Sequence, residues 1–323
     1  MALMISTKNL TKKFENLTAV DNLNLEIKEG EIFGLLGPNG AGKTTTIFML
    51  TTLKPPTSGT ATINGYDIVK DSDKVRKSIG IVFQDPSSDE ILTGYENLKL
   101  HGWLYDMPDD LKERRIKEVL ELVDLTNRKD DLVKKYSGGM RRRLELARGL
   151  MHHPRVLFLD EPTLGLDPQS RDYIWSYIEK LAKEEKITIV LTTHYMDEAD
   201  KLCDRLAIID YGKIVVLGTP DDLKKELGGD IIKLRGKSLN LEPLKNLIYV
   251  KNIAASSDEV FLTVEDANMH IQDILNTVGK VDSTEIRSPT LDDVFIHYTG
   301  RGIREDSPEG SWAEKAMHVR GKR

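Results

Sequence analysis

The sequence predicts an α/β fold, a parallel sheet covered by helices, with a helical subdomain inserted in it and a small α+β domain behind it. Three observations carry this. From Ile5 to about Leu227, short continuous apolar runs alternate with longer amphipathic stretches, the pattern of a sheet flanked by helices. Gly37, Pro38, Asn39, Gly40, Ala41, Gly42, Lys43 and Thr44 spell a phosphate-binding loop between an apolar run and a helix, where unpaired N–H groups can be aimed at an anion. After Gly228 and Gly229 the pattern changes to separate strand-like runs.

The candidate core strands are Ile32 to Leu36, Ile79 to Phe83, Val156 to Leu159 and Thr188 to Thr192. They are short, continuous and apolar, as parallel strands covered on both faces should be. Helices are expected at Thr45 to Leu53, Asp109 to Val123, Met140 to Met151, Arg171 to Glu184 and Met196 to Leu202. Leu206 to Asp210 and Lys213 to Leu217 flank Tyr211 and Gly212, which predicts a closing antiparallel hairpin. Between Asp85 and Lys135 the chain is polar and helical, and a helical subdomain is placed at about 85–150 of a first domain spanning 1–228.

The second domain, 229–300, is expected to hold strands at Ile231 to Leu234, Leu247 to Ile253, Glu259 to Val264 and Val281 to Ile286. A helix over Ala267 to Val278 and another announced by Thr290, with Asp293 three residues on in a capping-box pattern, complete it. Gly, Pro, Ser and scattered charges dominate 301–323, which reads as a disordered tail.

With 30% charged and 39% hydrophobic residues, the composition is that of a folded protein. The net charge of −6 gives no electrostatic case for coating a phosphate backbone or an anionic membrane. Cys203 is the only cysteine, so no internal disulfide is possible and a cytosolic address fits. Met1 to Phe14 lacks the apolar stretch of a signal peptide, and no window approaches the ~18 to 20 apolar residues that span a bilayer. Any membrane span is therefore expected from a partner chain.

In the loop, the glycines let backbone amides point inward, Lys43 can reach the β and γ phosphates, and the Thr44 hydroxyl suits magnesium. The run Val156 to Leu159 ends in Asp160 and Glu161, two carboxylates at the tip of a buried strand, costly unless something cationic or catalytic uses them. Asp160 is expected to hold the magnesium shell, and Glu161, pointing elsewhere, to polarise an attacking water. Arg141, Arg142 and Arg143 read as a solvated helix face or as neighbours of phosphate, with a nucleic-acid patch as the lesser alternative.

By these residues the chain, from Met4 to about Leu227, resembles the ATP-binding cassette ATPases that drive ABC transporters. The most discriminating piece is Tyr136, Ser137, Gly138, Gly139 and Met140, similar to the family's signature, although Tyr136 stands where leucine is usual and Met140 where glutamine is usual. The resemblance implies a P-loop NTPase (ABC ATPase) core. It implies that Gly37 to Thr44 and the adjoining Thr45 bind ATP and that Thr44, Gln84 and Asp160 hold Mg2+. Glu161, His194, Gln84 and Lys43 take the catalytic roles.

Gly165, Leu166 and Asp167 resemble the loop that communicates between subunits, and Phe14, with Val20 beside it, resembles the aromatic that stacks on adenine. The resemblance implies a head-to-tail homodimer, or a pair with a related ATPase subunit, in which Ser137, Gly138, Gly139 and Asp167 serve the shared site. Ser288 to Phe295 is similar to the C-terminal extension of daunorubicin-resistance export ATPases. The expected function is thus a motor subunit driving export of a drug, lipid or other small molecule through a separate permease at the inner face of the membrane, with no nucleic acid as partner. The alternatives are a soluble cassette ATPase acting on nucleic acid or ribosomes, an importer motor, and a nucleotide-gated regulatory module.

Overall fold

The computed structural model describes residues 2–236, 239–255 and 259–299. The chain divides into two compact units at Leu217/Gly218, ahead of the Gly228–Gly229 break. The expected tail, 301–323, lies outside the described residues.

The first unit opens with β1 (Leu3–Phe14), β2 (Leu17–Lys28) and β3 (Ile32–Leu36), followed by α1 (Lys43–Leu50), β4 (Ser58–Ile63), β5 (Tyr66–Asp67), α2 (Ser72–Ser78) and β6 (Ile79–Val82). Three helices then follow, α3 (Gly94–Leu104), α4 (Asp109–Leu122) and α5 (Gly138–Leu150). The chain returns through β7 (Val156–Asp160), α6 (Pro168–Glu184), β8 (Thr188–Thr193), α7 (Met196–Leu202), β9 (Arg205–Asp210) and β10 (Lys213–Gly218).

The parallel sheet has the order β10-β9-β3-β8-β7-β6, with β3 between β8 and β9. Every residue of β3, β7 and β8 is buried, which is why these strands read as unbroken apolar runs. Placing β3 centrally sets the phosphate loop at its carboxyl end, beside the ends of β6, β7 and β8, the position where open α/β sheets bind ligands.

A second, antiparallel sheet of order β2-β1-β4-β5 was not expected from the sequence. Its apolar residues alternate, with Val20, Leu23, Leu25 and Ile27 buried along β2, and its outer face is polar. Register shifts beside Leu10, and left-handed backbone at Asn9 and Asn22, break the period-two signal that would have announced it. Leu10, Val20, Leu23 and Ile27 share one core with Phe33, Leu35, Ile47, Met49, Phe158 and Val190, so this sheet closes over α1 and the parallel strands.

Two helices start earlier than predicted because their caps lie further back. Ser137 Oγ accepts from Met140 N at 3.2 Å, so α5 begins at Gly138. Asp167 accepts from Ser170 N at 3.0 Å with Pro168 in the first turn, so α6 begins at Pro168. In the helical insertion, Tyr136 is buried, its hydroxyl donates to Arg128 O at 2.7 Å and its ring end fills the space over Gly94. A leucine there could not make that hydrogen bond, which accounts for the unusual residue.

The second unit contains α8 (Pro220–Glu226), β11 (Asp230–Arg235), β12 (Val250–Ala255), β13 (Glu259–Val264), α9 (Ala267–Val278), β14 (Ser283–Arg287) and α10 (Leu291–Thr299). Its strands form one antiparallel sheet of order β12-β13-β11-β14. Ile232, Leu234, Leu262 and Val264 pack there against Ile274 and Val278 of α9. Half of the predicted capping box is present: Asp293 Oδ2 accepts from Thr290 N at 2.8 Å, while the Thr290 hydroxyl donates to the same oxygen at 2.9 Å and does not cap the Asp293 amide. Tyr298 Oη donates to Glu226 Oε2 at 2.7 Å, joining α10 to α8.

Candidate nucleotide site

The phosphate loop has its shape because two of its glycines admit no other residue. A Cβ on Gly37 would lie 2.3 Å from Ile209 O, and one on Gly42 would lie 2.5 Å from Ala19 O, where φ is also +110°. The hairpin turn between β9 and β10 braces the loop from outside: Gly212 N donates to Ala41 O, and Asp21 N donates to Gly212 O, each at 2.9 Å. No side chain caps α1, which leaves its first amides facing the loop. Lys43 is buried and its ammonium donates to Gly37 O at 2.7 Å and Pro38 O at 3.2 Å. Asn39 and Gly40 are exposed, Ala41 is buried, and Thr45 sits half-buried in the first turn.

The two carboxylates at the end of β7 take different partners. Asp160 Oδ1 accepts from Thr192 Oγ1 at 2.5 Å and from Thr44 Oγ1 at 3.3 Å. Burial, with Glu161 alongside, raises its pKa above the usual aspartate value against the pull of those hydroxyls. At Glu161 the backbone turns into the left-handed region, φ +47°, an uncommon conformation for a side chain of this size. That turn sends its carboxylate to Lys43 Nζ, 3.9 Å away, and to His194 Nδ1, 3.3 Å away. Burial works to raise Glu161, but His194, Lys43 and Arg142 outweigh it and hold its pKa below the usual glutamate value.

Gln84 is exposed just past β6, at the same edge of the sheet. What fixes that segment is Arg142 of α5, and here the expectation of a solvated face fails. Arg142 is buried and donates from Nη1 to Phe83 O at 2.5 Å and Gln84 O at 3.4 Å. It also donates to the carbonyls of Asp160 and Glu161 at 3.0 Å and, through Nε, of Pro162 at 2.6 Å. Glu145, one turn on, accepts from Ser87 Oγ at 2.9 Å and Ser88 N at 2.7 Å. Both residues were missed because charged types are usually exposed and nothing in their spacing names a partner. Arg141 pairs with Glu90, and Arg143 lies 3.6 Å from Asp124 Oδ2 and over the Tyr173 ring, so the basic triplet is engaged within the chain.

Ser137, Gly138 and Gly139 are not brought to the Lys43 loop. Ser137 and Gly138 are exposed, and a Cβ on Gly138 or Gly139 would meet Leu166 or Ser170. Gly165 and Asp167, also exposed, therefore lie beside the signature. Phe14, 37% exposed, sits at the end of β1 with the ammonium groups of Lys12 and Lys54 over its ring, 5.3 and 5.2 Å from the centroid. Val20 is buried, with its Cγ2 next to Gly42.

A parallel sheet with such a loop at the end of its central strand, next to an ordered pair of carboxylates, defines a nucleotide-binding domain of the phosphate-loop class. Residues 20–164 match the ABC transporter family, and residues 218–299 match the C-terminal domain of ATP-binding proteins like DrrA1-3. The chain is 38% identical to the daunorubicin/doxorubicin resistance ATP-binding protein DrrA of Streptomyces peucetius, covering 97% of each. It is 37% identical to a Nod factor export ATP-binding protein of Ralstonia nicotianae, covering 94% of this chain and 95% of that one. A dimeric ATP-binding cassette in a post-hydrolysis state with ADP and Pi superimposes with a TM-score of 0.61 at 30% identity, over 67% of this chain and 98% of that one. The chain belongs to the ATP-binding subunits of ABC transporters and is an ATPase of that family.

Proposed function

We propose that two copies of this chain, or this chain and a related subunit, close head to tail around ATP and Mg2+ and so drive export through a separate permease at the inner face of the membrane. The names of the resistance and export relatives support the direction of transport. Among the described residues no helix is long and apolar enough to cross a membrane, in keeping with a partner that supplies the span.

The residues present fit the magnesium ion. The Thr44 hydroxyl and the Asp160 carboxylate already converge at 3.3 Å and are hard oxygen donors. With Gln84 they would hold Mg2+, which neutralises phosphate charge when bound. Lys43, resting on two loop carbonyls, exchanges them for β- and γ-phosphate oxygens. Glu161, whose neighbours favour its ionised form, accepts the proton of the attacking water. His194, beside it, contacts the γ-phosphate. Phe14 stacks its ring on adenine, with Val20 beside it.

The single observation that carries the two-chain reading is the exposure of Ser137 and Gly138 at the uncovered start of α5, among Leu166 and Ser170 rather than beside Lys43. A helix start facing solvent suits the phosphates held by a second chain. The exposed apolar residues Leu100, Trp103 and Leu104 on one face of α3, with Ile91 before it, suit the cytoplasmic helix of a permease. Arg142 and Glu145 fasten the segment after Gln84 to α5, so nucleotide-dependent movement reaches that face.

Mixing variants tests the arrangement. Lys43→Ala and Ser137→Arg are each expected to lose turnover alone, and an equal mixture pairing at random to regain about a quarter of the sites, since half of the pairs are mixed and one of their two sites carries neither change. A mixture as inactive as its components sinks a site shared by two copies of this chain.

A further inference from the structure

Glu198 of α7 is fully buried and takes part in none of the steps above. We propose that it is a positioning residue, tying the loop that follows Glu161 to the loop that carries His194 so that the intersubunit segment Gly165–Asp167 and His194 shift together. The inference rests on the ATP site described above and adds to it a link between its two moving loops.

Glu198 Oε1 accepts from Thr163 Oγ1 at 2.8 Å and from Trp175 Nε1 at 2.9 Å. Thr163 lies two residues beyond Glu161 and leads into Leu164, Gly165 and Leu166. Trp175 stands on α6, the helix capped by Asp167. On the other side, Glu198 itself stands on α7, which begins two residues past His194. One carboxyl group thus joins three pieces of chain, two of which flank proposed catalytic residues.

Packing alone does not account for it. A buried carboxyl is costly, and an apolar side chain of similar length would fill the same space without that penalty. What an apolar side chain cannot do is accept from an indole and a hydroxyl at once. Oε2 has no hydrogen-bond partner among the described residues, so it is able to take a donor when either loop shifts. Asp197 and Arg142 are the charged groups that sense the carboxyl from α7 and α5.

ATP turnover, ATP affinity and the Hill coefficient for ATP, measured on the full chain with Glu198→Met, Glu198→Gln and Thr163→Val, test the link. Glu198→Met is expected to keep ATP affinity, to lose roughly 10- to 100-fold in kcat, and to bring the Hill coefficient toward one. Glu198→Gln, which keeps an acceptor oxygen, should recover most of that loss. Thr163→Val added to Glu198→Met should cost nothing further, because the same link is already cut.

Unchanged kcat and cooperativity in Glu198→Met, or losses that multiply in the double variant, overturn the proposal. If Glu198→Met does not fold by circular dichroism, Thr163→Val and Trp175→Phe each remove one donor, and normal turnover in both overturns it. No turnover in the unaltered protein refutes the ATP site and this link together, whereas intact turnover with no coupling refutes the link alone.

Discussion

The parallel sheet of the first unit and the antiparallel sheet of the second both cover a buried core, yet they bury different things. Around the first lie Lys43, Arg142, Glu145, Asp160 and Glu198, all at most 6% exposed. In the second, Thr263 is the one buried polar side chain among the described residues, and its ion pairs, such as Arg287 with Asp293, are partly exposed. Burying charge is expensive, so a fold keeps it where electrostatics are put to use. The difference marks the first unit as the seat of chemistry and the second as a body held by apolar packing.

Four substitutions break or sharpen this contrast. The largest effect is expected for Glu161→Gln, which should keep ATP binding and lose ~10²- to 10⁴-fold in phosphate release. Near-normal release would remove the role given to its carboxylate. Leu262→Ala, at the centre of the second sheet, should cost about 2–5 kcal/mol in the unfolding of that unit and leave the ATP dissociation constant unchanged. Denaturant melts read together with nucleotide titrations check both halves.

Arg142→Met should do what no change in the second unit does. It strands the carbonyls of Phe83, Gln84, Asp160, Glu161 and Pro162, destabilising by about 2–3 kcal/mol and lowering kcat with little change in ATP affinity. Equal losses in affinity and kcat would return Arg142 to a purely structural part.

The smallest effect concerns acid. Burial alone would raise the Asp293 carboxyl, but hydrogen bonds from Arg287 and Thr290 outweigh it and hold its pKa below the ordinary 3.8. Its contribution is therefore present above that value and lost as pH falls through the lowered one. Arg287→Met should lose about 1 kcal/mol at neutral pH and show a shallower decline in acid, measured by melts of the second unit between pH 7 and about 3.

The same contrast explains what could be read in advance. Gly37 to Thr44, Asp160, Glu161 and His194 are legible because their spacing follows the ends of strands whose apolar runs are unmistakable, and the strands of the second unit stand out between turn residues. The sheet of β1, β2, β4 and β5 was not legible, since Asn9, Asn22 and the shifts beside Leu10 interrupt its alternation. Nor were Arg142, Glu145 and Glu198. Their partners are mostly backbone carbonyls, hydroxyls and amides of distant segments, and only the folded chain brings these within reach.

The hairpin turn at Tyr211 and Gly212 has a consequence for biosynthesis. Because Gly212 N holds Ala41 O and Gly212 O holds Asp21 N, the loop near the start of the chain gets its outer brace from a segment translated much later. A nascent chain released before that turn carries every residue of the loop without this outer strut. The loop's outer bracing is thus completed only once the chain has been made as far as that turn.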